Sequence, residues 1–143
     1  MSADAPLSLD LSDFDAVGVA SSAVAQVRAH AIENECSTAA TVSAPQGWHR
    51  VVLNCSATGH LNLRVRFVDL TTARSNNVSK ALVERGWQLD EDRDGASVRY
   101  LPGTEAITVA FDMLGVLALA GAPNDVRSVT AVDSEGRAVD LHT

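Results

Sequence analysis

The sequence predicts an α+β fold: a five-stranded, mostly antiparallel sheet with helices packed on one face, in the order α-βββ-α-ββ-α, and a possible β-hairpin at the C-terminus. Three observations carry this prediction. His49–Ala57 and Leu61–Asp69 alternate apolar and polar residues on either side of Thr58-Gly59-His60, the period of two of half-buried strands. Val17, Ala20, Val24, Val27 and Ala31 recur every three or four positions, which places them on one face of a helix. Ser75–Leu101 reads as a short helix, a glycine stop and a tight hairpin.

Residues 1–12 form a polar, Pro-containing flexible lead, and residues 13–143 a single domain. Ser12 can open the first helix, with Asp13 and Asp15 favoured at its positive end, and the helix ends near Asn34–Cys36. Thr38–Ala44 is β-branched and stops at Pro45-Gln46-Gly47. In the next two strands Val51, Leu53, Cys55, Leu61, Leu63, Val65 and Phe67 face the core, while Arg50, Arg64 and Arg66 face away. After the loop Leu70–Arg74, Ser75 can cap a second helix whose inner face holds Val78, Ala81, Leu82 and Arg85. Gly86 takes the left-handed stop, and Trp87 folds back on the last turn. Strands Trp87–Asp90 and Ala96–Leu101 flank a turn ending in Asp94-Gly95, where glycine supplies positive φ. Pro102-Gly103 breaks the chain, and Thr104 can cap a third helix. Ala106–Leu119 is too long for one strand and reads as that helix, ended by Gly121-Ala122-Pro123. Ser128–Asp133 and Ala138–Leu141 are weaker strands about the turn Ser134–Arg137, read as a hairpin added at a sheet edge.

The 143 residues are 46% apolar but only 4% aromatic, so the core is built from Val, Leu and Ala. A net charge of −7 argues against nucleic acid or an anionic membrane as partner. The longest apolar run, Ala106–Ala122, contains Asp112 and falls at the lower limit of a membrane span. Met1–Asp15 carries four aspartates and no basic residue before an apolar stretch, so a cytoplasmic location is expected. Cys36 and Cys55 lack CxxC spacing and read as free thiols.

No catalytic or cofactor motif is present, and no metal is expected. Asp90-x-Asp92-x-Asp94-Gly95 reproduces the first half of a calcium loop, but Leu101 stands where the closing glutamate belongs. His30, His49, His60 and His142 have no ligand spacing; His30 lies on the polar side of the first helix. A Cys–His pair could form only in space, for example Cys55 with His49 or His60. The outward strand positions give a sharper signal. Arg50, Arg64, Arg66 and Arg99, four of ten arginines, share the face opposite the apolar stripe. They are either solvated and paired with local carboxylates, or a platform for the acidic segment of a protein partner.

The alternating pair Val51–Ala57 and Leu61–Phe67, the run Ala81-Leu82-Val83-Glu84-Arg85-Gly86-Trp87-Gln88-Leu89, and the Asp-rich turn leading to Tyr100 resemble the small chaperones of type III secretion and the related YbjN-like domains. The likeness spans residues 13–121 as a succession of elements. It implies a non-enzymatic chaperone or adaptor that binds an extended polypeptide segment as a homodimer. Two rivals remain: an immunity or antitoxin-type protein binding a basic toxin, and a small enzyme whose Cys, His and Asp residues meet only in the fold.

Overall fold

A computed structural model of the chain describes residues 7–43, 49–67, 71–92, 94–120 and 126–142. The elements are β1 (Leu7–Asp10), α1 (Ala16–Glu33), β2 (Thr38–Ser43), β3 (His49–Cys55), β4 (Leu61–Phe67), α2 (Thr72–Glu84), β5 (Gln88–Leu89), β6 (Gly95–Arg99), α3 (Ala106–Ala120), β7 (Val126–Asp133) and β8 (Ala138–Val139). The expected α-βββ-α-ββ-α succession is present from α1 to α3. The sheet, however, has eight strands rather than five, in the order β1-β7-β2-β3-β4-β6-β5 with β8 also on β7. Every pairing is antiparallel.

Two expectations about the ends of the chain are corrected. The lead contains a strand: Leu7–Asp10 pair with Val126–Val129 of β7, and Leu9 is buried. The C-terminal hairpin is not an edge addition. One side of β7 pairs along β2 from Thr38 to Ser43, and its other side is shared by β1 and β8. Burial explains this position, because Val129 and Ala131 continue the apolar face of β2.

All three helices lie on that face. Val24, Val27 and Ala31 of α1 and Val109, Met113 and Leu117 of α3 join Leu53, Leu63 and Val65 in one buried cluster. The small residues of α1 let α3 pack closely against it. Helix starts differ from expectation. Ser12 instead hydrogen-bonds the Asp10 carboxylate, and α1 begins at Ala16. Thr71, not Ser75, caps α2, its hydroxyl accepting from the Arg74 N–H at 3.2 Å. Thr104 turns its hydroxyl back to the Leu101 carbonyl rather than capping α3. The α2 stop is as expected: Gly86 has φ +90°, and the Gly86 and Trp87 amides return to the Val83 and Leu82 carbonyls. Trp87 is buried. The proposed breaks at Pro45-Gln46-Gly47 and Gly121-Ala122-Pro123 lie outside the described residues.

Candidate functional site

On the other face of the sheet no described helix packs, and its residues are half-buried or exposed apart from Gly95. The pairing fixes how the four arginines sit there. Arg50 is directly opposite Arg66, Arg64 is two residues along the same strand as Arg66, and Arg99 is opposite Asn62. The predicted register is therefore correct, and the arginines form one continuous patch.

Like charges directly across a strand pair are unfavourable, and the β5–β6 turn relieves them. Asp90 Oδ2 accepts from Arg64 Nη2 at 3.0 Å and lies 3.6 Å from Arg66 Nη1, while Asp92 Oδ2 is 3.3 Å from the same Arg66 nitrogen. Gly95 makes this approach possible. It pairs with Arg66, and a Cβ there would come within 2.8 Å of Asp90 Oδ2 and would clash with the Val65 carbonyl oxygen. Room is thus what this position requires, and the positive φ expected of it is absent. The half calcium loop accordingly turns Asp90 and Asp92 onto arginines, and Asp92 Oδ1 accepts from the Asp94 amide. That amide is the main reason the Asp92 carboxyl titrates below the usual range.

Arg50 and Arg99 are exposed, and neither side chain has an ion pair among the described residues. Beside Arg99 is a shallow cavity of about 220 Å³ lined by Asn54, Asn62, Arg64, Ser97 and Arg99. Asn54 Nδ2 donates to Asn62 Oδ1 at 3.2 Å, which orients the two amides across the cavity floor. Charge and hydrogen-bond donors both suit a carboxylate entering from solvent. Comparison with protein-family models, curated proteins and solved structures finds no match.

A second constellation was not legible in sequence. His30, at the end of α1, is not solvated as expected: its Nε2 lies 3.0 Å from Asp133 Oδ2, on a side chain buried completely. Arg137 Nε donates to the same oxygen at 2.8 Å, and the Glu135 and Arg137 amides donate to Oδ1. The hydrogen bond with His30, together with the two amides and Arg137, holds the Asp133 carboxyl well below the usual carboxylate range. Cys36 Sγ lies close enough to His30 and Asp133 for the three to hold a metal ion. The cationic group beside them is the Arg137 guanidinium, whose Nη2 is 3.8 Å from Cys36 Sγ. Within the cluster, hydrogen bonds join His30 and Arg137 to Asp133, and Arg137 to Cys36. Its geometry is that of a staple between α1 and the β7–β8 turn.

The other Cys–His pairing does not form with His60, whose Nδ1 is bonded to the Thr58 hydroxyl. The His49 side chain lies outside the described residues. Cys55 is buried on the core face, and burial pushes its thiol pKa up. Among the described residues no helix is long and apolar enough to cross a membrane.

Proposed function

We propose that this chain is a non-enzymatic protein-binding module, adaptor- or chaperone-like, whose uncovered sheet face receives an acidic segment of a partner polypeptide. One observation supports this above all: an acidic chain gathers Arg50, Arg64, Arg66 and Arg99 on a face where no described helix packs, and Arg64 and Arg99 line a cavity with Asn54, Asn62 and Ser97. Arginine forks bind carboxylates in two-pronged fashion, and an extended segment can lie along strands on which no described helix packs. A homodimer belongs to the same proposal. Ile107 and Phe111, one turn apart on α3, are 42% and 58% exposed and give an apolar strip outside the core.

The test uses a fluorescein-labelled peptide with two aspartates separated by one serine. The folded protein binds it at low ionic strength and releases it as salt rises past the point where charges about 8–10 Å apart are screened. The double variant Arg50→Glu/Arg99→Glu loses the peptide yet keeps its stability, because exposed charges of this kind contribute only about 0–1 kcal/mol each. Equal binding by that variant would refute the proposal.

A further inference from the structure

We infer that the β5–β6 turn is an internal stand-in for the partner, and that the partner segment displaces it by presenting two carboxylates in the manner of Asp90 and Asp92. The inference rests on the arginine face being the partner-binding surface. Three features of the structure lead to it. Asp90 bridges Arg64 and Arg66, and Asp92 adds a second contact to Arg66, so an acidic segment already occupies half of the patch. Gly95 leaves the space in which the Asp90 carboxylate lies over the strands, so the sheet is shaped to admit a carboxylate at this point. Arg50 and Arg99, at opposite ends of the patch, have no ion pair with the two aspartates, so an incoming segment can engage arginines that the turn leaves open.

The competition is weighted towards release. Arg64, Arg66 and Asp92 have side chains 50%, 45% and 52% exposed and Asp90 17%, and ion pairs open to water on the arginine side are weak. The turn is tethered beside its arginines, which offsets that weakness through high effective concentration. A free peptide therefore binds below its intrinsic affinity until the turn's charge is removed. The fitting ligand is a segment of alternate Asp or Glu residues; a basic segment is repelled.

The experiment compares the unmodified protein with Asp90→Asn/Asp92→Asn, using the same labelled peptide at low salt. Asparagine keeps the shape and the bond from the Asp94 amide while removing both charges. The variant is expected to bind the peptide about three- to tenfold more tightly, a range within what losing three partly exposed ion pairs allows. Equal or weaker binding by this variant, with the unmodified protein still binding, overturns the inference and leaves the arginine face as a binding site. Failure of both proteins to bind overturns both readings. Should the variant not fold, amide resonances of the unmodified protein decide: peptide must shift Asp90, Asp92 and Gly95, and shifts confined to Arg50 and Arg99 count against displacement.

Discussion

At Asp133 both carboxylate oxygens are engaged, from the α1 side by His30 and from the hairpin side by Arg137 and two backbone amides. These contacts set the sign of its pH dependence. The folded-state pKa is depressed, so the stabilisation is complete above the ordinary carboxylate value of about 4 and is lost as pH falls through the folded value. Acid titration of the unfolding transition should show stability dropping below about pH 4. Asp133→Asn should flatten that drop and lower the melting temperature at neutral pH; an unchanged profile would show that the staple carries no stability. None of this is readable from sequence. Asp133 sits at an inward position of a weakly alternating strand, and His30 is 103 residues away, so no local pattern joins them. The arginines are readable because the register of β3 and β4 follows from seven apolar positions in strict alternation. Their ion pairs with Asp90 and Asp92 depend on how the turn folds over Gly95, which spacing does not state.

Among the elements, α2 and the strand after it form the unit that the sequence specifies most fully. The glycine stop, the returning amides and the buried indole all follow from Leu82-Val83-Glu84-Arg85-Gly86-Trp87. Trp87 is 4% exposed, so Trp87→Ala should cost about 3–5 kcal/mol in denaturant unfolding. A loss below about 1 kcal/mol, the scale of an exposed site, would mean that the indole does not anchor the turn. Elements with short or mixed patterns are the ones that sequence does not resolve. β1 has four residues, and only Leu7 and Leu9 face inward, too few to distinguish a strand from a polar lead. The start of α2 is ambiguous because Thr71 and Ser75 are chemically equivalent candidates for its cap, and position in the fold chooses between them.

Over the whole molecule, the sheet divides into a face covered by the three helices and one on which no described helix packs. If the strip on α3 pairs two copies, sedimentation at tens of micromolar should give a mass twice the 15.0 kDa chain, and Phe111→Asp should return it to one chain. A single-chain mass for the unmodified protein across that range would remove the homodimer from the proposal. The place of β7 has a consequence in time as well as in space. Translation delivers β2, β3 and β4 first, whereas the strand that completes β2 is made only after α2, β5, β6 and α3. Until then the Thr38–Ser43 backbone is an open edge on the nascent chain, exposed to any other strand in the crowded vicinity of the ribosome. Its sequence, Thr-Ala-Ala-Thr-Val-Ser, offers small and hydroxylated side chains with a single larger aliphatic one, a poor template for sticking to neighbours during that wait.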